Sequence, residues 1–185
     1  MVTDVKFEVA ENFEAVGFER IKKHLRVDLV CTDEDDLIRS FLEAAIEVCE
    51  NYIGGHIASK DMVITLDAFD SPLAFEAFPM QSVASVEYYP KDNEIKETMS
   101  STNYSLTNAN SKVFNLRFRE QLPELANRFD AVTITVKVGF ASGKVPKPIQ
   151  QAILLKIADM YERRDDRAEV ISTTSQALLR PYKKF

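Results

Sequence analysis

Four side chains of this sequence could bind a transition metal: His24, Cys31, Cys49 and His56. Their spacing fits no zinc-finger pattern, and neither histidine lies one helical turn from another ligand type. Two cysteines also cannot build a disulfide framework. Cys49 falls on an apolar helical face, where a small buried thiol is expected. We therefore predict structural histidines and no metal site.

Consecutive carboxylates form a second candidate cluster, the run Asp33, Glu34, Asp35 and Asp36. Carboxylate oxygens bind divalent cations, but consecutive side chains at a helix start point in different directions. The positive end of the helix dipole is a sufficient reason for acidic residues there. The run predicts a helix N-terminus and no cation site.

Motifs for enzyme chemistry are missing from the sequence. It has five glycines, no glycine-rich phosphate-binding loop and no nucleophile elbow. We predict no catalytic residues, no cofactor and no enzymatic activity. A hydrolase or ligand-binding domain whose site is assembled only by the fold stays open as a third hypothesis.

Composition narrows the class of protein. With 185 residues, 45% of them hydrophobic, the chain can build one domain with a real core. The net charge of −6 argues against a general nucleic-acid binder, although residues 141–185 are net positive. No apolar run is long enough to span a bilayer and no leader is evident, so we expect a soluble intracellular protein without a membrane partner.

Two helices are predicted near the N-terminus. Residues 18–25 have helical spacing and follow an alternating strand or extended arm around Val5 to Val9. Thr32, three residues before Asp35, suggests a capping box for a long helix that ends at Gly54. Its apolar stripe is predicted to comprise Leu37, Phe41, Ala44, Ala45, Val48 and Tyr52.

Strand signals replace helical ones between residues 62 and 140. Alternating or β-branched runs are separated by turn-forming segments, which predicts a small antiparallel sheet. Three aromatic residues could be surface anchors but more often close a core: Phe69, Phe75 and Phe78.

A last long helix is predicted from Pro148, which suits a first helical turn. The polar run after Arg167 has too little apolar area to order itself, so it predicts a mobile tail, either a segment that folds on binding or a frayed end. The expected fold is α+β with a predominantly helical frame and an inserted sheet at about 62–140. We expect one domain over residues 1–166 and a C-terminal tail over 167–185.

Three phrases of the sequence resemble the small head-tail connector (adaptor) proteins of tailed bacteriophages and prophages. The first is Lys22-Lys23-His24-Leu25-Arg26-Val27, followed by the acidic run and the long helix. The second is Pro79 to Tyr88, with the pattern Pro-x-x-Ser-Val-x-x-Val-x-Tyr. The third is Val145-Pro146-Lys147-Pro148-Ile149, whose helix ends in Tyr161-Glu162-Arg163-Arg164. The chain also ends in a Leu-Leu-x-Pro-Tyr-basic-basic phrase like that of family members.

The resemblance implies a structural subunit of a ring, typically of twelve copies, through which the genome passes. Implied partners are other copies of the chain, the portal protein, a tail-completion or stopper protein, and DNA that is not bound specifically. The implied location is the virion neck, with assembly in the host cytoplasm. Glu43, Glu47 and Glu50 would form an acidic channel or partner face. The candidate assembly interface comprises Arg163, Arg164, Arg167, Leu178, Leu179, Arg180, Tyr182, Lys183, Lys184 and Phe185.

The alternative hypothesis is a nucleic-acid-binding accessory protein that uses the basic C-terminal region. Its arginines and lysines would contact phosphates, and Tyr161 or Tyr182 would stack on bases. Steep salt-sensitive binding to unrelated DNA would distinguish it from a connector.

Overall fold

The computed structural model describes residues 2–9, 13–69, 73–76, 79–91, 93–107, 113–119, 122–163 and 173–183. The chain divides into two compact units. Met1–Glu11 and Ser59–Phe140 form the sheet unit, and Asn12–Ala58 and Ala141–Phe185 form the helical unit. The single domain expected over residues 1–166 stays a prediction. None of the helices in the described ranges is long and apolar enough to cross a membrane.

The sheet unit holds two antiparallel sheets. Its strands are β1 (Val2–Val9), β2 (Lys60–Leu66), β3 (Leu73–Glu76), β4 (Met80–Tyr88), β5 (Glu97–Thr98), β6 (Tyr104–Thr107), β7 (Val113–Phe118) and β8 (Val132–Val138). The larger sheet has the order β1-β2-β8-β4-β5, and the smaller has the order β3-β7-β6. The N-terminal segment thus joins the larger sheet as an edge strand paired with β2.

Alternating burial along β2 and β8 places one face of the larger sheet in the core. Ile64 and Ile134 on this face belong to the same apolar cluster as Phe114 and Leu116 of β7. The two sheets therefore share one hydrophobic core. Phe69 packs against it, with its ring centroid 5.0 Å from that of Phe118. Phe78 and the side chain of Phe75 lie outside the described residues.

The helical unit contains α1 (Phe18–Leu25), α2 (Asp35–Ile53), α3 (Lys147–Glu162) and α4 (Thr173–Leu179). Gly54 ends α2 in the left-handed conformation, with φ of 66°, as predicted from its freedom from Cβ strain. Extended Pro146 precedes α3. Buried side chains of α3 lie around much of its circumference, among them Ile149, Ile153, Leu154 and Ile157.

Two expectations are corrected by the fold. A predominantly helical frame is not confirmed, because the strands of the two sheets take a share of the chain comparable to the helices. The predicted capping box is wrong: Glu34 is the N-cap without a side-chain bond, and Thr32 contributes its backbone carbonyl to the Asp35 amide. Within the predicted tail, Thr173–Leu179 form the helix α4, where Leu179 is only 2% exposed. That the tail is mobile before assembly stays a prediction.

The buried face of α2 also differs from the predicted stripe. Ala45 of the predicted stripe is fully buried, but the other fully buried residues are Ile38, Cys49 and Ile53, whereas Val48 is 42% exposed. Apolar residues occur at adjacent positions along α2, so two neighbouring stripes fit the helical period. The buried stripe is the one shifted by one residue, which corresponds to a rotation of about 100°.

This shift can be tested by truncating side chains on both stripes. Ile38→Ala and Ile53→Ala should each lower the free energy of unfolding by about 2–5 kcal/mol, because each leaves a cavity in the packed interior. Val48→Ala should cost about 0.5 kcal/mol, since its side chain is already largely hydrated. Urea unfolding followed by circular dichroism measures all three. Equal losses at Ile38 and Val48 would restore the stripe predicted from the sequence.

Candidate assembly surfaces

Lys22 is a buried cation that organises the loop between α1 and α2. Its residue is 2% exposed, and Nζ lies 2.8 Å from Oδ1 of Asp35. The same ammonium donates hydrogen bonds to the carbonyl oxygens of Leu29, at 3.2 Å, and Cys31. A buried ammonium is tolerated only when it is paired and hydrogen-bonded. Lys22 therefore fixes the loop (residues 26–34, the α1–α2 loop) onto the first turn of α2.

The α1–α2 loop exposes two apolar side chains at its tip. Val30 is 86% exposed and Leu29 is 43% exposed. The Val30 amide donates to Oδ1 of Asp28, at 3.2 Å, which adds a local turn. With the neighbouring carbonyls turned to Lys22, the two apolar side chains are held at the surface.

A second polar contact connects the N-terminal end of α2 to the C-terminal end of α3. The Tyr161 hydroxyl donates a hydrogen bond to Oε2 of Glu34. Tyr161 is half-buried, and its ring is one of those assigned to base stacking under the nucleic-acid hypothesis. Its hydroxyl instead helps to hold two helices together.

The three glutamates of the predicted acidic face differ in surroundings. Glu43 and Glu47 are exposed and lie one helical turn apart, on the side of α2 opposite the buried stripe. Glu50 is partly buried, and its Oε1 accepts hydrogen bonds from the amides of Ile57 and Ala58 at 2.7 and 2.9 Å. The structure thus brings Glu43 and Glu47 together on an exposed face and gives Glu50 a contact within the fold.

The predicted C-terminal interface is described in part. Arg163, Arg180 and Lys183 are exposed, Leu178 and Tyr182 are half-buried, and Leu179 is buried. The Lys183 ammonium lies 5.2 Å from the ring centroid of Tyr52, which places this segment beside the C-terminal end of α2. Arg164, Arg167, Lys184 and Phe185 lie outside the described residues.

The cysteines and acidic groups show no arrangement for metal or nucleophilic chemistry in the described ranges. Within these ranges no three histidine, cysteine or acidic side chains are grouped closely enough to hold a metal ion. Burial raises the pKa of the Cys49 thiol to about 11, which keeps it neutral. Cys31 is exposed in the α1–α2 loop.

Sequence reasoning missed the two features of the α1–α2 loop, namely buried Lys22 and the apolar tip. Lysine side chains are usually exposed to solvent, so nothing in the sequence indicated that Lys22 is buried. The apolar tip could have been recognised in the sequence, because Leu29 and Val30 are adjacent apolar residues in an otherwise polar and acidic loop. Such a pair, outside any helical or strand periodicity, is a signal for a surface contact.

Removal of the Lys22 charge tests its role in the loop. Lys22→Met should lower the free energy of unfolding by about 1–3 kcal/mol, because two carbonyls and the Asp35 carboxylate lose their donor. Lys23→Met is the matched control, since Lys23 is exposed and pairs with Glu19 on the surface. It should change stability by less than about 0.5 kcal/mol. Equal thermal shifts for both variants would contradict the assignment.

The chain is similar to proteins of phage-like particles. Residues 17–117 match the family model described as Phage gp6-like head-tail connector protein. No curated protein is significantly similar to the chain. The fold resembles a chain in the neck of an empty GTA particle computed with C6 symmetry, with a TM-score of 0.75 and 18% identity over 99% of this chain and 96% of that one.

Two further solved structures contain similar chains. One is the virion of the native gene transfer agent (GTA) particle, with a TM-score of 0.74 and 19% identity over 97% of this chain and 95% of that one. The other is the neck of the native GTA particle computed with C12 symmetry, with a TM-score of 0.70 and 18% identity over 99% and 96%. At these identities the comparison shows a shared fold. The family model covers more than half of the sequence and confirms the resemblance seen in its phrases, so the chain belongs to the phage gp6-like head-tail connector proteins, a family of structural virion proteins.

Proposed function

We propose that the chain is the subunit of a closed ring of twelve copies in the neck of a virion. The ring docks under the portal protein, completes the DNA-filled head and offers the attachment site for a tail-completion or stopper protein. The genome passes through its channel without specific binding. Subunits assemble in the host cytoplasm before they are incorporated into the neck.

The observation that carries this proposal is the joint match of family and fold. The family model names a head-tail connector, and the whole length of the chain resembles subunits found in necks of GTA particles. Those necks were computed with sixfold and twelvefold symmetry. A ring closes when one heterologous interface repeats by a fixed rotation.

The exposed acidic side of α2 suits a channel wall. Glu43 and Glu47 lie one helical turn apart on one side of the helix, and both are exposed. Carboxylates repel the phosphates of DNA and so prevent the genome from adhering. Glu50 contributes less to this face, because one carboxylate oxygen is engaged by two backbone amides.

The C-terminal segment supplies one side of the proposed subunit interface. Arg180 and Lys183 present positive charge there, and Leu178 and Tyr182 are only half-buried. Arg163 is exposed near the other end of α2, two residues after Tyr161. Leu179 packs inside its own chain and stabilises the segment there. Three of the predicted residues outside the described ranges, Arg164, Arg167 and Lys184, extend the same basic composition, and the fourth, Phe185, is apolar.

The proposed function predicts ring-shaped particles. Electron microscopy of the purified full-length protein, alone and mixed with the portal protein encoded nearby, should show closed rings with a central channel. Rings seated on the portal are expected even if the protein alone is monomeric at low concentration, because docking raises the local concentration of subunits.

A matched DNA-binding measurement separates the two hypotheses drawn from the sequence. Fluorescence anisotropy with an unrelated duplex should show no binding near physiological salt. The absence of both rings and portal attachment, together with steep salt-sensitive DNA binding, would overturn the proposal in favour of the accessory protein.

Charge reversal on α2 tests the channel wall. The double variant Glu43→Lys, Glu47→Lys should still form rings, since both side chains are exposed, but these rings should retain DNA in a salt-sensitive way. Anisotropy of DNA at increasing salt measures the gain. The control is Glu94→Lys, Glu124→Lys in the sheet unit, which makes the same change of charge at two exposed positions. DNA retention that is unchanged in the Glu43, Glu47 variant would remove these residues from the channel.

A further inference from the structure

The N-terminal end of α2 carries an apolar tip with an acidic rim. Leu29 and Val30 form the tip. Three acidic residues close to them in the sequence are also exposed: Asp28, Asp33 and Asp36. Exposed cations also lie near this end of α2, among them Arg26 in the loop and Arg163, which follows Tyr161 at the end of α3. Lys22 adds no positive charge to the surface, because it is buried against Asp35.

The tip is preorganised for contact with another molecule. Lys22 holds the carbonyls of Leu29 and Cys31, and Asp28 holds the amide of Val30. A loop fixed in this way loses little conformational freedom on binding. Its exposed apolar side chains gain by being removed from water.

The opposite end of α2 carries basic charge. Lys183 lies over Tyr52, in the last turn of α2, and Arg180 begins the 3-10 turn that leads to it. Residues 176–183 contain no acidic side chain, and Pro181 is exposed between the two cations. This surface therefore combines positive charge with a small apolar area.

The two ends cannot meet within one chain. Helix α2 has 19 residues, which corresponds to a length of about 28 Å at 1.5 Å per residue. That length exceeds the screening distance of about 8–10 Å at ordinary ionic strength. Surfaces of opposite charge at opposite ends of one rigid element can pair between copies in a head-to-tail arrangement.

We propose that the acidic, apolar tip (Leu29, Val30, Asp33, Asp36) binds the basic surface (Arg180, Pro181, Lys183) of a second copy of this chain. The contact is heterologous and repeats from copy to copy. This inference rests on the proposed ring and names the surfaces that join its subunits. Lys22 is a positioning residue in this contact, because it shapes the tip without reaching the second copy.

Disulfide cross-linking tests the contact with the full-length protein. Native Cys31 is exposed beside Val30, so Pro181→Cys supplies a second thiol on the basic surface. The two positions lie at opposite ends of α2, too far apart for a disulfide within one chain, which needs Cα atoms within about 7 Å. Mild oxidation should therefore give a ladder of linked copies on a non-reducing gel.

Three controls accompany the cross-linking. Wild-type protein carries Cys31 alone at the surface and should give dimers at most, as should Pro181→Cys combined with Cys31→Ser. Lys137→Cys, an exposed position on the sheet unit, replaces Pro181→Cys as the matched second thiol and should give no ladder. Rings or portal attachment seen by microscopy without a ladder from Cys31 and Pro181→Cys would overturn this contact and leave the proposed function standing. A protein with neither rings nor ladder would overturn both.

Charge exchange provides an independent readout. Asp33→Lys, Asp36→Lys makes both ends basic, and Arg180→Glu, Lys183→Glu makes both ends acidic. Each variant alone should lose association in analytical ultracentrifugation while keeping its melting temperature within a few degrees. An equal mixture of the two should regain association, because unlike ends then alternate. Loss of association that the mixture does not restore would refute the pairing of these ends.

Discussion

The buried ammonium of Lys22 is the interaction on which the rest of the helical unit depends. One cation joins α1, the loop that follows it and the first turn of α2, since it contacts two carbonyl oxygens and Asp35. Such a group is costly to bury and is stable only with several acceptors around it. These contacts give the loop a fixed shape, in which two apolar side chains remain at the surface.

The phrases that resemble the connector family prove to be structural parts of this fold. Lys22 begins the first phrase and anchors the α1–α2 loop. Gln150, next to the Val-Pro-x-Pro-Ile phrase, donates to the Val145 carbonyl at 2.8 Å and accepts from Arg20 at 2.7 Å. Tyr161 bonds to Glu34. These residues therefore specify how the helices of this unit meet.

Periodicity alone predicted helix α1 and the strand-rich region, because their signals are local. Residues 18–25 form α1 as expected from helical spacing, and β3 to β8 lie within the predicted region 62–140. The buried face of α2 was not predicted correctly. Two adjacent stripes of the helix are both apolar, and packing against distant segments decides which of the two stripes is buried. The burial of Lys22 depends on the loop that follows α1, which has no periodic signal of its own. For the candidate surfaces, exposed Glu43 and Glu47 agree with a solvated helix face, whereas the role of Glu50 required the fold of residues 57 and 58.

The interleaving of the two units has a consequence for synthesis on the ribosome. Each unit is built from two separate stretches of the chain, so the sheet unit receives its last strand, β8, before α3 of the helical unit has been made. About ninety residues separate the end of α2 from the start of α3, and their synthesis takes about 5–20 s at bacterial and eukaryotic elongation rates. During that interval Ile38 and Ile53 lack the helix that later covers their side of the unit. The nascent chain is therefore most exposed to aggregation in its helical half, although helices form faster than sheets in isolation.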